Sequence, residues 1–276
     1  MSDRSNDTTV LETESAGVPT PDAETALVTG ASSGIGQELA HLFAANGSDV
    51  VLVARRGDRL REIAERFERR HGVSAMPVTA DLAVEGAAGR LHETLTERGR
   101  TVDVLVNNAG FGVYGRFTET AADEEAAMRR LNVETPTRLA KLYAPGIKAR
   151  GGGILNVASV AWVVPAPRAA VYGATKAYLL SFSEALAEEL APTAQVTALC
   201  PGETDTGFMR RGGMAASGVA DGRLLDPAQV AQTGYHGFRN GDRVVVPGVR
   251  DKLRALLYRL LPRDLMMKAS RQTWEP

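Results

Sequence analysis

From Glu24 onward the chain alternates between two kinds of pattern. Short apolar runs rich in β-branched residues fall at 26–29, 50–54, 73–78, 102–106, 153–157, 195–200 and 244–246. Between them, at 34–45, 59–71, 84–98, 123–150 and 172–191, apolar positions recur at helical spacing. The strand-like runs are continuously apolar, as in a sheet buried on both faces. Strands alternating with helices at this spacing, joined by right-handed crossovers, predict an α/β fold. The expected architecture is a doubly wound parallel sheet of about seven strands with helices on both faces.

No composition shift divides residues 24–249, which are therefore expected to form a single dinucleotide-sized domain. Residues 1–24 hold six acids and one base among Ser, Thr and Pro, so 1–23 reads as a disordered tail. Residues 250–276 carry seven bases and three acids, with Leu253, Leu256, Leu257, Leu260 and Leu261 in an apolar stripe. That pattern predicts an amphipathic helical extension, docked on the domain, on a second subunit or on a membrane surface. Residues 202–226, rich in Gly, Ala and Ser after the sixth strand, suggest a binding lid or a solvated loop.

Composition narrows the classes. A net charge of -1 argues against a protein built around nucleic-acid phosphates. One cysteine, Cys200, excludes an internal disulfide and gives no reason for an oxidising compartment, so a cytoplasmic location is expected. His41, His71, His92 and His236 lack ligand spacing, so no metal is expected. No apolar run is long enough to span a membrane.

The turn after the first strand reads Thr29-Gly30-Ala31-Ser32-Ser33-Gly34-Ile35-Gly36. Glycines here allow a sharp turn and close approach of a ligand, and the N–H groups opening the next helix suit a phosphate. Such a strand–turn–helix is expected of a Rossmann-type dinucleotide site. The same residues also match G-x-S-x-G, so a serine hydrolase using Ser32, with a histidine such as His236, is an alternative. An idle dinucleotide-binding regulator is another. The second strand ends Val53-Ala54-Arg55-Arg56, with no acid where NAD sites place one. Arg55 and Arg56 instead suit a 2′-phosphate, which points to NADP(H).

Tyr172 and Lys176 are spaced i, i+4 on a predicted helix, and Ser159 stands at the end of the fifth strand. An ammonium beside a phenol favours phenolate and is expected to lower the phenol's pKa toward the range of proton transfer.

With these residues the chain resembles the short-chain dehydrogenase/reductases over residues 24–250. The matching segments are 29–36, Asp81-Leu82, Asn107-Asn108-Ala109-Gly110, Asn132, Ser159, Tyr172-x-x-x-Lys176 and Pro201-Gly202. The resemblance implies an oxidoreductase passing hydride between NADP(H) and a ketone or secondary alcohol. In that reading Tyr172 is the acid/base, Lys176 holds the nicotinamide ribose, Ser159 holds the substrate oxygen and Asn132 positions a relay water. Gly30, Ser32, Ser33, Gly34, Ile35 and Gly36 would contact the cofactor. Asp81 and Leu82 would flank adenine, and Asn108, with Ala109 and Gly110, would meet the adenosine ribose. Pro201, Gly202, Thr204 and Thr206 would lie near the carboxamide or pyrophosphate.

The arginine-bearing second strand is similar to the NADP-using branch that includes 3-ketoacyl and 3-ketosphinganine reductase-like proteins. Glu203 and Asp205 depart from the family's usual loop. Phe111, Val113, Tyr114, Trp162, Val163, Val164, Phe208 and Met209 are expected to line a mostly apolar substrate pocket, while Arg116 and Arg168 are read as surface charges or as partners of an anionic group. The family's habit of pairing its fourth and fifth helices implies a homodimer or homotetramer, with Leu139, Leu142, Leu179 and Leu186 as apolar positions.

Overall fold

A computed structural model describes residues 23–162, 165–208, 212, 224–260 and 262–274. The expected N-terminal tail and most of the 202–226 segment lie outside the described residues. Seven strands form one parallel sheet: β1 (Thr25–Thr29), β2 (Asp49–Ala54), β3 (Ala75–Thr79), β4 (Val104–Asn107), β5 (Gly153–Val157), β6 (Gln195–Leu199) and β7 (Val244–Val245). Their spatial order is β3-β2-β1-β4-β5-β6-β7. The order reverses between β1 and β4, so the connections leaving these two strands part and open a crevice at their carboxyl ends.

Helices α1 (Gly34–Ala45), α2 (Gly57–His71), α3 (Ala87–Glu97), α4 (Ala122–Arg129), α5 (Thr135–Arg150) and α6 (Ala170–Leu190) supply the crossovers. Three more follow: α7 (Pro227–Arg239), α8 (Val249–Leu260) and α9 (Arg263–Trp274). Alternate strand residues feed two cores. Ala26, Val28, Val50 and Leu52 pack with Phe43, Phe67 and Phe238 of α1, α2 and α7. Leu27, Val51 and Val53 pack with Leu91, Leu139 and Leu190 of α3, α5 and α6. Covering on both faces explains why the strands read as unbroken apolar runs.

Several boundaries differ from the sequence reading, each for a physical reason. The expected helix 123–150 is α4 and α5 joined through a π turn, Arg130–Glu134. β3 begins at Ala75 and contains Pro77, which an edge strand tolerates because it has a free N–H side. α7, not expected from the sequence, buries Val230, Ala231, Gly234, Tyr235, Gly237 and Phe238 at helical spacing, with glycines where it meets the sheet. A Cβ on Gly234 would lie 2.5 Å from Leu199 Cδ2, and one on Gly237 2.3 Å from Val245 Cγ2. Its start was nonetheless written in sequence: Asp226 caps the Ala228 N–H at 3.0 Å and Pro227 occupies the first turn. The C-terminal extension holds two helices, one ending at Leu260 and the next beginning at Arg263 after Pro262.

The central strands carry a buried polar chain. Asn107 Nδ2 donates to Asn156 Oδ1 at 2.9 Å, and Asn156 Nδ2 donates to Ser183 Oγ at 2.9 Å. Ser183 Oγ donates on to the Leu179 carbonyl oxygen at 2.6 Å. These bonds tie β4 and β5 to α6, which carries Tyr172 and Lys176. Asn156→Ala leaves Asn107 and Ser183 each short of a partner, at about 1–3 kcal/mol per buried group. Chemical denaturation should therefore show a loss above about 2 kcal/mol. A loss within error of zero contradicts the role given to this chain.

Candidate active site

The crevice at the switch point is a cavity of about 650 Å³. Its first end is the glycine turn. Gly30 (φ 69°) and Gly34 (φ 58°) adopt left-handed conformations that side chains resist. A Cβ on Gly30 would lie 2.6 Å from Asn108 Nδ2, and one on Gly36 would lie 2.2 Å from the same atom. The turn therefore has room for backbone alone. Thr29 Oγ1 accepts the N–H groups of Asn108 and Ala109 at 2.9 and 3.0 Å, and Asn108 Nδ2 donates to the Thr29 carbonyl at 2.8 Å. These bonds lock the loops after β1 and β4 together. Ser33 precedes α1 without capping it through its side chain, so the opening N–H groups of α1 stand at the cavity as an anion site.

Arg56 is held in place: its Nη2 donates to Ser32 Oγ at 2.9 Å and to the Ser32 carbonyl at 3.0 Å. Arg55, 71% exposed at its side chain, lies 3.8 Å from Asp81. Both arginines and Asp81 line the cavity, together with Leu82, Ala109 and Gly110. An exposed guanidinium interacts through screened water, so its worth depends on close, forked contact with an anion.

At the far end Lys176, buried, donates from Nζ to the Val157 carbonyl at 2.8 Å. Burial lowers its pKa to about 8, with Cys200 opposing the shift. Tyr172 is buried one helical turn away, with Lys176 Nζ 6.0 Å from its ring centre. Burial pushes the phenol up to about 12, Ser159's hydrogen bond pulls it down, and Glu203's charge pushes it up. The net direction is therefore upward, against the lowering expected from the sequence, because desolvation outweighs the Ser159 hydrogen bond. Ser159 Oγ accepts the Ala161 N–H at 3.1 Å, which fixes its hydroxyl in the cavity beside Tyr172.

Asn132 lies off the cavity in the π turn. Its Nδ2 donates to the Phe111 carbonyl at 2.9 Å and to Thr175 Oγ1 at 3.1 Å, while its Oδ1 accepts the Phe111 N–H at 3.2 Å. This side-chain amide holds the Gly110–Phe111 loop against α6. Gly36 also lies behind the cavity wall, packed on Asn108. Ser32, Ile35, Pro201, Gly202, Thr204 and Thr206 line it.

Phe111 and Phe208 line the cavity, and the rings of Tyr172 and Phe208 are 5.6 Å apart. Val113 and Tyr114 pack against the same apolar cluster. Trp162 ends a short 3₁₀ turn, Val160–Trp162, while Val163, Val164 and Met209 lie outside the described residues. The C-terminal extension, not expected at the site, contributes two lining residues, Arg254 of α8 and Trp274 of α9. Trp274 is buried in the cluster that holds Tyr172, and its carbonyl accepts from the Tyr114 hydroxyl at 2.5 Å. A tryptophan closing a polar stretch signals a side chain that seeks burial, without naming where. The loop leaving the cavity returns beside its own start, since Leu225 N donates to the Glu203 carbonyl at 2.8 Å. Among the described residues no cluster of His, Cys, Asp or Glu fits a metal ion.

A family-level profile described as short chain dehydrogenase matches residues 24–214. An uncharacterized oxidoreductase of Staphylococcus epidermidis is 32% identical over 216 residues, covering 74% of this chain and 92% of that protein. Among solved structures, a short-chain dehydrogenase from Sphingobium yanoikuyae in complex with NADPH is 33% identical. It superposes with a TM-score of 0.76 over 86% of this chain and 94% of its own. A bulky-bulky ketone specific alcohol dehydrogenase from Comamonas testosteroni is 30% identical, with a TM-score of 0.72 over 87% and 95% of the two chains. The glycine turn, the parallel sheet that presents it and the serine, tyrosine and lysine converging at the other end of one cavity agree with that match, and the chain belongs to the short-chain dehydrogenase family.

Proposed function

We propose that this chain is an NADP(H)-dependent oxidoreductase that moves hydride between the nicotinamide and a ketone or secondary alcohol of a mostly apolar substrate. The observation that carries the proposal is the placing of Ser159, Tyr172 and Lys176 at one end of a cavity whose other end is a glycine cradle. The bound cofactor supplies or accepts the hydride. The glycine turn and the opening of α1 hold its pyrophosphate, Asp81 and Leu82 flank the adenine, and Asn108 to Gly110 face the adenosine ribose. Arg55 and Arg56 take the 2′-phosphate. Pro201, Gly202, Thr204 and Thr206 serve the nicotinamide end with Lys176. The NADPH complex of the Sphingobium relative supports this cofactor choice.

The chain's own chemistry is a proton transfer. Ser159 Oγ holds the substrate oxygen, and Tyr172 Oη gives that oxygen its proton on reduction or takes it on oxidation. A phenol pushed up to about 12 is fully protonated at neutral pH, which suits reduction. Phe111, Phe208 and Trp274 give the substrate an apolar wall, and the bulky-ketone activity of the Comamonas relative supports that substrate class. The hydrolase alternative loses ground because Ser32 Oγ accepts from Arg56 while His236 is exposed on α7.

The same proposal treats residues 24–249 as the catalytic unit and places it in the cytoplasm, with Cys200 a buried thiol outside any disulfide. It also makes the chain a homodimer or homotetramer. Leu139 and Leu179 cannot supply that interface, since both are buried within the subunit. Exposed Tyr178, stacked on Phe182, is available on α6.

NADPH should bind at least about tenfold tighter than NADH, the yield of one or two charge-assisted bonds to the 2′-phosphate. Arg55→Ala should weaken NADPH and spare NADH. Equal dissociation constants in the wild type contradict the selector.

Tyr172→Phe keeps the ring and removes the proton donor. Turnover should fall by about 10²–10⁴-fold with NADPH affinity nearly unchanged. Retention of a tenth of the wild-type rate would show that another group moves the proton. Lys176 is charged below its pKa, so lowering to about 8 leaves the ammonium present at neutral pH and lost above it. NADPH affinity should therefore weaken as pH rises through about 8. Lys176→Met should bind NADPH weakly and without that pH step. A wild-type affinity flat across this range contradicts the role.

A further inference from the structure

An amphipathic helix on a protein surface ordinarily turns its apolar stripe inward. α8 does the reverse. Ala255 is buried and Asp251 and Arg254 are half-buried, while Val249 is 83% exposed and Leu253 and Leu256 are each 56% exposed. Leu257 of α8 and Leu265 and Met267 of α9 are exposed as well. Of the ten exposed large hydrophobic residues among those described, six stand on these two helices, so the exposure is concentrated rather than scattered.

The exposed charges described around this face are mainly basic. At 100° per residue, Arg250 and Lys252 fall on opposite flanks of the stripe made by Val249, Leu253, Leu256 and Leu257. Both are exposed, as are Lys268 and Arg271 of α9; Asp264 is the exposed acid among the described residues of the two helices. Two copies of this chain meeting through this face about a two-fold axis would set bases against bases. A bilayer surface with anionic headgroups satisfies both features. The leucines enter the acyl boundary, and the flanking bases reach back to the phosphates. Each helix has 12 residues, too short to cross a bilayer and long enough to lie along it.

We propose that α8 and α9 form a peripheral membrane-docking face selective for anionic lipid. This assignment rests on exposure and charge and does not depend on the redox reading. The same helices also line the cavity through Arg254 and Trp274, which brings the docking face and the substrate chamber onto one structural unit.

The test is co-sedimentation of the full chain, with NADPH bound, with vesicles of phosphatidylcholine alone or with phosphatidylglycerol added. Each base near an anionic surface is worth about fivefold in affinity. The four exposed bases should therefore give a preference for phosphatidylglycerol above tenfold, reduced by salt. Leu253→Glu with Leu256→Glu should abolish pelleting and leave turnover in vesicle-free buffer and the thermal midpoint unchanged. Arg250→Glu with Lys252→Glu keeps the stripe and should erase the preference between the two vesicle types. No pelleting of the wild type with phosphatidylglycerol, or equal pelleting of the leucine variant, overturns the proposal. A light-scattering mass that halves in the leucine variant also overturns it, in favour of a second copy on this face.

Discussion

A buried ammonium hydrogen-bonded to the fold, Lys176 Nζ to the Val157 carbonyl, is the group on which the site depends. Taking a charge out of water is costly, and one carbonyl offsets part of that cost. The expense shows in the lowering of the lysine's pKa to about 8. Holding it requires a rigid α6 and a rigid end of β5. The Asn107–Asn156–Ser183 chain supplies both, by joining the two strands and the helix below the site. The same burial that strains Lys176 keeps Tyr172 protonated, so one apolar enclosure tunes two groups in opposite directions.

The second constraint is steric and lies at the other end of the cavity. Parallel strands place all their carboxyl ends on one edge, and the reversal between β1 and β4 opens that edge. Thr29 and Asn108 then bind the two diverging loops so closely that Gly30 and Gly36 leave no space for a Cβ. A phosphate-bearing ligand can approach the backbone there, with the opening of α1 facing it. The two ends are therefore built by different means: one by close packing of backbone, the other by desolvation of charge.

Much of this was legible in the sequence because it is local. Unbroken apolar strands marked a sheet covered on both faces, and 29–36 marked the turn between β1 and α1. The i, i+4 spacing of Tyr172 and Lys176 put them on one helix. Features set by tertiary contact were not legible. Trp274 reaches the site from more than 100 residues beyond Ser159, and nothing near it in sequence names that destination. α7 meets β6 and β7 through Gly234 and Gly237, close contacts that the local sequence does not announce. The amide of Asn132 is used between two backbone segments, a role that spacing does not encode. The direction of the tyrosine shift depends on burial, which the neighbouring lysine alone does not reveal.

The central claim is that hydride passes directly between a nicotinamide held by the glycine cradle and a carbonyl carbon held beside Tyr172. Its most direct test is a single turnover of the wild-type chain with a bulky ketone and NADPH carrying deuterium on one or the other face of its C4 carbon. Mass spectrometry of the alcohol should find deuterium on the carbinol carbon from one labelled face and none from the other, because a fixed site presents a single face. Absence of deuterium from both, or equal transfer from both, would contradict the account.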